Sequence, residues 1–212
     1  MTPQLNVSLK PYNTLNLDVN AHYFVTISSI EDLHQACDFC KANQCPWLLI
    51  GGGSNLVLTQ DFEGLVMVMA MNQVIWPSGE VPKSASERFI VCAQAGCEWD
   101  WLVQESIIRG AGGLENLSLI PGQVGAAPIQ NIGAYGVELK HCLDSVQVFD
   151  FDTGKLFQLN ASDCELGYRD SVFKRHRHWI VIQVNLSLSY ENAPQLNYAI
   201  IADTITLLFG QL

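Results

Sequence analysis

Trp47-Leu48-Leu49-Ile50-Gly51-Gly52-Gly53-Ser54-Asn55-Leu56 is the stretch on which the reading of this chain turns. Four apolar residues in a row, bounded by Pro46 and by glycine, predict a short strand buried on both faces. Three consecutive glycines directly after it let the backbone reach positive φ and approach a ligand closely. Successive N–H groups in such a turn form an anion cradle. Ser54 and Asn55 add side-chain donors suited to phosphate oxygens. Two familiar phosphate motifs fail here. A Rossmann turn needs a third glycine where Leu56 stands and a helix after it, whereas Leu56-Val57-Leu58-Thr59 predicts extended chain. A P-loop needs Gly-Lys-Ser/Thr, which the segment lacks. Taken alone, the loop also reads as an ordinary tight turn.

Upstream, His22 to Ser28 predicts a strand and Ile30 to Asn43 a helix. Ser28 or Ser29 would cap that helix, with Glu31 and Asp32 favourably placed in its first turn. Ile30, Leu33, Cys37 and Cys40 recur at helical spacing and would form its buried face, and Pro46 would stop it. Downstream, Leu65 to Met69 resumes extended structure. Residues 77–86 hold two prolines, one glycine and three serines, which predicts an inter-domain link or a long hairpin. A strand at Phe89 to Ala95 and a helix from Glu98 to Arg109, ended by Gly110, come next. Ser145 to Phe151 and Leu156 to Leu159, around Asp152-Thr153-Gly154-Lys155, predict a β-hairpin. Trp179 to Ser189 alternates as a long strand.

The composition excludes several classes. With 212 residues, 49% hydrophobic and 15% charged, the chain is not intrinsically disordered, and its length fits one large domain or two small ones. The formal net charge of −10 leaves no basic footprint for nucleic acid and argues against docking on anionic lipid. Seven scattered cysteines make a poor disulfide framework. Cys37-x-x-Cys40 has no second CxxC and no histidine at ligand spacing, so it reads as small buried hydrophobes rather than a metal or redox pair. No metal site is expected. The N-terminus has neither a basic start nor an apolar run, and no stretch of 18 residues is uniformly apolar. These features predict a cytoplasmic chain with no membrane span.

A second side-chain-poor stretch runs from Leu117 to Leu139 and includes Gly122, Gly125, Ala126, Ala127, Gly133, Ala134 and Gly136. Such backbone lets a flat, bulky group lie against the main chain. Gln130 and Asn131 offer donors and acceptors for a polar heterocycle edge, and Tyr135 could stack on it. A Gly/Ala-rich packing loop is the alternative. The combination is more specific than either part. Gly51-Gly52-Gly53-Ser54-Asn55, then Ile120-Pro121-Gly122-x-Val124-Gly125, then Gln130-Asn131-Ile132-Gly133-Ala134-Tyr135-Gly136, then Gly167-Tyr168-Arg169-Asp170-Ser171-x-Phe173-Lys174 stand in order. This set closely resembles the UDP-N-acetylenolpyruvoylglucosamine reductase family, bacterial flavoenzymes that make UDP-N-acetylmuramate for peptidoglycan. The resemblance runs from Asn13-Thr14 to about Tyr198.

The resemblance implies an α+β chain with the two-domain FAD-binding fold of the vanillyl-alcohol oxidase type. The first subdomain would span residues 1–76 and the second residues 77–212. FAD would sit between them, held by Gly51, Gly52, Gly53, Ser54, Asn55 and Leu56 from the first loop. Pro121, Gly122, Gly125, Ala126, Asn131, Gly133, Ala134 and Tyr135 would hold it from the second. NADPH would reduce the flavin, and an enolpyruvyl UDP-sugar substrate would then take hydride at its methylene carbon. Arg169 matches the family's catalytic arginine, whose always-charged guanidinium suits a carboxylate or enolate. Read in isolation it would be a surface arginine paired with Asp170 or Glu165. Tyr168 and Tyr198 would touch substrate. The basic run from Lys174 to His178 reads as a solvated turn, with UDP phosphate contact as the alternative. No obligate protein partner is expected.

The chain also departs from the family. Its residues include neither the Gly-Ser-Phe-Phe-Lys-Asn-Pro-like block that carries the family's general-acid serine nor the late catalytic glutamate, and Ala199 to Leu212 does not resemble the family's continuation. The sequence therefore predicts a truncated end, an absent C-terminal substrate domain, an uncovered apolar face and very poor turnover. Two other readings follow, a flavin-binding fragment without turnover and a flavin subunit of a larger oxidoreductase.

Overall fold

The computed structural model describes residues 1–77 and 87–190. Its first half is built on β1 (Gln4–Ser8), β2 (Asn20–Ile27), α1 (Ile30–Asn43), β3 (Trp47–Ile50) and β4 (Phe62–Met69). These strands form one sheet in the order β1-β2-β4-β3, with β1 antiparallel to β2, and with β2 and β3 both parallel to β4. The parallel pairing is what requires α1 as a crossover. The second half is built on β5 (Val74–Ile75), β6 (Arg88–Gln94), α2 (Trp99–Ile108), a two-residue pair β7 (Gly133–Ala134) and β8 (Val137–Glu138), then β9 (Leu143–Asp150), β10 (Lys155–Asn160) and β11 (Trp179–Ser189). Its sheet runs β10-β9-β11-β6-β5 and is antiparallel throughout. The expected boundary after residue 76 falls just past β5, which already pairs with β6 of this second sheet. From residue 78 onward the expected link of residues 77–86 lies outside the described residues, as do Tyr198 and the 199–212 tail.

Local chemistry explains the joints. The Ser29 hydroxyl accepts from the Asp32 N–H at 3.1 Å, and the Asp32 carboxylate accepts from the Ser28 N–H at 2.9 Å, a reciprocal cap on α1. The helix ends at Gln44, which takes a left-handed φ of 50°, two residues ahead of the expected stop at Pro46. Its buried face is Leu33, Ala36, Cys37 and Cys40. Ile30 was expected on that face but stays on the surface, because a first-turn side chain points back past the helix start. Beyond the glycine loop, Leu56 to Leu58 was expected to be extended but belongs to no strand or helix.

Helix α1 packs against both sheets at once. Leu33, Ala36, Cys37 and Cys40 share one core with Leu65 and Met67 of β4 and with Phe149, Phe151, Ile180 and Ile182 from the second sheet. The Cys37 thiol donates to the Phe151 carbonyl across this joint at 2.8 Å. All seven cysteines are unpaired. Burial pushes the Cys97 thiol up to about 11 and the Cys142 thiol up to about 12, so both stay protonated and act as packing groups at neutral pH. Leu33 is fully buried at the centre of the joint. Leu33→Ala should destabilise the chain by about 3 kcal/mol, read as a lower urea midpoint at unchanged m-value.

Candidate functional site

The glycine loop is shaped from behind by Asn13-Thr14. The buried Asn13 amide donates to the carbonyls of Leu9 and Leu17 at 2.8 and 3.1 Å and accepts from the Leu17 N–H at 2.8 Å. The Thr14 N–H then donates to the Gly53 carbonyl at 3.3 Å. Gly53 has φ +66°, and a Cβ there would lie 2.1 Å from the Tyr12 carbonyl oxygen, so only glycine fits. Gly52 faces forward, where an added Cβ would lie 3.0 Å from the Cα of Gly122. The Ser54 hydroxyl donates to the Pro121 carbonyl at 3.4 Å, across 67 residues of sequence. The two side-chain-poor stretches therefore meet backbone to backbone.

The second stretch is fixed by the end of β6 and the start of α2. Trp99 N–H donates to the Gly122 carbonyl at 3.0 Å, Val124 N–H to Cys97 at 2.8 Å, and Gly125 N–H to Ala95 at 2.9 Å. The Asp100 carboxylate accepts from the Leu119 N–H at 2.6 Å and the Ser118 hydroxyl at 3.1 Å. The Leu119 N–H, helped by Gln104 and Ser118, holds Asp100 below its usual carboxylate range.

A cleft of about 390 Å³ opens where the loops meet, lined by Ser54, Asn55, Pro121, Gln123, Ala126, Gln130 and Arg169 among others. Through Gln123, Ala126 and Ile129 it adjoins a more apolar recess of about 190 Å³ that reaches Gly51, Ala95, Gly125 and Val181. Beyond Arg169 lies a third recess of about 440 Å³, lined by Gly133, Ala134, Tyr135 and Tyr168. Thus Gly133, Ala134 and Tyr135 sit on the far side of Arg169 from the glycine loop. The Leu56 side chain packs against the core of the first sheet. Asn131, expected to face the cofactor, turns inward and is only 2% exposed. Gln123 occupied an unspecified position of the sequence motif, yet its Oε1 is buried in the cleft wall with no hydrogen-bond partner, while its amide donates to the Met69 carbonyl at 3.3 Å. An amide side chain set between two glycines was the signal for it.

Arg169 sits in a tight turn closed by Gly167 N–H to the Asp170 carbonyl at 3.0 Å and Asp170 N–H to the Gly167 carbonyl at 3.3 Å. Its φ is +52°. Arg175 takes both acids that an isolated reading gave to Arg169, pairing with Asp170 at 3.0 Å and with Glu165. Among the described residues no carboxylate pairs with Arg169. The Lys174 ammonium donates to the Arg169 carbonyl, and His176 stacks on Trp179 with ring centroids 4.1 Å apart. Lys174 and Arg175 of the basic run thus brace the arginine turn. Among the described residues no cluster of three His, Cys, Asp or Glu could hold a metal, and no helix is long and apolar enough to cross a membrane.

Two stability predictions follow from these anchors. Gly53→Ala should cost about 2 kcal/mol or more, since the left-handed φ and the Tyr12 oxygen both oppose a Cβ. Asp100→Ala should cost about 1–2 kcal/mol at pH 7. Because its folded carboxyl is held low, this contribution is full above about pH 4 and fades as the pH falls through the depressed value. Denaturant titrations of both proteins should therefore converge in acid.

A sequence model described as the FAD binding domain matches residues 21–160. A UDP-N-acetylenolpyruvoylglucosamine reductase of Pseudomonas putida is 43% identical over 196 residues, covering 92% of this chain and 56% of its own length. The Pseudomonas aeruginosa enzyme of the same name is 44% identical with the same coverage. This chain thus spans a little over half the length of these curated relatives. Among solved structures, UDP-N-acetylenolpyruvylglucosamine reductase from Thermus caldophilus superposes with a TM-score of 0.68 at 29% identity, over 100% of this chain and 71% of that one. p-Cresol methylhydroxylase superposes at 0.56 with 14% identity, over 97% of this chain and 43% of that one, a likeness of fold alone. The architecture is the α+β flavin-binding fold of the vanillyl-alcohol oxidase type. By the match over two-thirds of its length, the chain belongs to the FAD binding domain family.

Proposed function

We propose that this chain holds FAD in the glycine cleft and forms the flavin-binding part of a UDP-N-acetylenolpyruvoylglucosamine reductase. With NADPH as reductant, the reaction would convert the enolpyruvyl UDP-sugar to UDP-N-acetylmuramate, a peptidoglycan precursor made in the cytoplasm. One observation carries the reading: Gly52 and Gly122 meet backbone to backbone beside a cleft that also contains Arg169, an arginine with no carboxylate partner among the described residues.

The residues present fit the cofactor. Ser54 and Asn55, at the end of the glycine loop, put polar groups on the cleft wall that suit a pyrophosphate. The adjoining recess is mostly apolar, as a flat ring system requires. The orphaned Gln123 Oε1 is an acceptor in want of a donor, and a dinucleotide offers several.

When bound, FAD supplies hydride chemistry, accepting from a nicotinamide and donating to carbon. The chain's own residues position and polarise. Pro121, Gly125 and Ala126 keep the wall low enough for close approach. Arg169, uncommitted to any acid, is available to bind the carboxylate of the enolpyruvyl group with two donors and to stabilise the negative charge that develops as hydride arrives. Tyr168 and Tyr135 rim the recess beyond it, where the sugar nucleotide would lie. The serine-bearing block that would deliver the proton is not among these 212 residues. Coverage of 56% of the relatives is consistent with a second reading, a flavin-binding piece that does not turn over by itself.

The test is a visible spectrum after mixing the purified chain with FAD, followed by NADPH consumption with the enolpyruvyl nucleotide. Bound flavin absorbance is expected, and a chain that stays colourless overturns the proposal. Substrate-dependent turnover favours the reductase, and flavin binding without it favours the second reading. Arg169→Ala should leave FAD affinity within about twofold and lower any such turnover about 10²–10³-fold.

A further inference from the structure

We propose that Asn131 is the positioning residue of Arg169, a clamp that ties the arginine turn to the 129–131 turn lining the cleft, rather than a contact to the cofactor. The inference rests on the flavin-cleft reading above.

Both amide hydrogens of Asn131 are already committed, one to the Gly167 carbonyl at 2.9 Å and one to the Glu138 carboxylate at 3.0 Å. Its Oδ1 accepts from the Lys140 N–H at 3.0 Å. Nothing on the amide nitrogen is left to donate to a ligand. The residue is 2% exposed and has φ +44°, a conformation that asparagine tolerates better than most. Two residues on the other side of Arg169, the buried Ser171 hydroxyl donates to the Ile129 carbonyl at 2.7 Å. The 129–131 strap therefore grips the turn at Gly167 and at Ser171, and Arg169 stands between the two grips. Ile129 and Gln130 of that strap line the same cleft as Arg169.

This matters because Arg169 has no carboxylate among the described residues to aim its guanidinium. Its direction must come from its backbone. Of the turn's two closing bonds, the one onto the Gly167 carbonyl, from Asp170 N–H, is long at 3.3 Å, and the Asn131 bond to that same carbonyl is shorter. Glu138, paired with Lys140, holds the Asn131 amide from the other side, and those two contacts keep its carboxyl below the usual range.

The test is a double-mutant cycle in the FAD-loaded chain. The enolpyruvyl UDP-sugar is titrated in and followed by the flavin absorbance. Asn131→Ala should leave FAD affinity within about twofold and weaken nucleotide binding about tenfold, as for loss of one buried hydrogen bond. In an Arg169→Ala background the same change should alter nucleotide binding less than about twofold, because the group it aims is gone. Asn131→Asp keeps the volume, the Lys140 acceptor and the left-handed backbone but cannot donate, and serves in the same cycle should the alanine variant fail to fold. An undiminished Asn131 effect in the Arg169→Ala background overturns this inference and leaves the flavin reading standing. A wild-type chain that takes up no FAD overturns both, and one that binds FAD but binds the nucleotide as Arg169→Ala does overturns this inference alone.

Discussion

The whole site depends on one steric fact: Gly52 and Gly122 touch through their main chains. A single methyl group on Gly52 would press on the Gly122 Cα at 3.0 Å. Two loops, one following strand β3 and the other following helix α2, can come this close only because neither carries a side chain at the contact. The elements behind them serve that meeting. Asn13 presents Gly53 from below, while Asp100 and Trp99 hold residues 119–122 from the side.

Electrostatics repeats the same economy. The chain carries a net charge of −10. Arg175 pairs with Asp170 and Glu165, so among the described residues Arg169 is left without a carboxylate partner. Lys174 and Arg175 of the basic run thereby hold the turn that carries it.

Legibility in the sequence followed the range of the interaction. Helix α1, strand β3, the β9–β10 hairpin and strand β11 were readable because periodicity, caps and turn residues act locally. Strand β1 was missed: Gln4-Leu5-Asn6-Val7-Ser8 is an edge strand with almost no buried face, so it carries no pattern. Glycines were recognisable as ligand-facing, but their chemistry did not say which cleft each would face, and Gly133 to Tyr135 lie across Arg169 from the first loop. Asn131 shows the same gap. Its residue type announces hydrogen bonds, and only the fold tells that Gly167, Glu138 and Lys140 consume them. Gln123 was invisible for the opposite reason, since an orphaned atom can be recognised only once its surroundings are known.

Helix α1 carries a mechanical consequence. Its single apolar face is pressed into both sheets, and Cys37 reaches Phe151 across the seam. A helix shared in this way leaves no hinge axis between the halves, because opening them would expose Leu33, Met67 and Ile182 to water together. The width of the groove is therefore a constant of the fold.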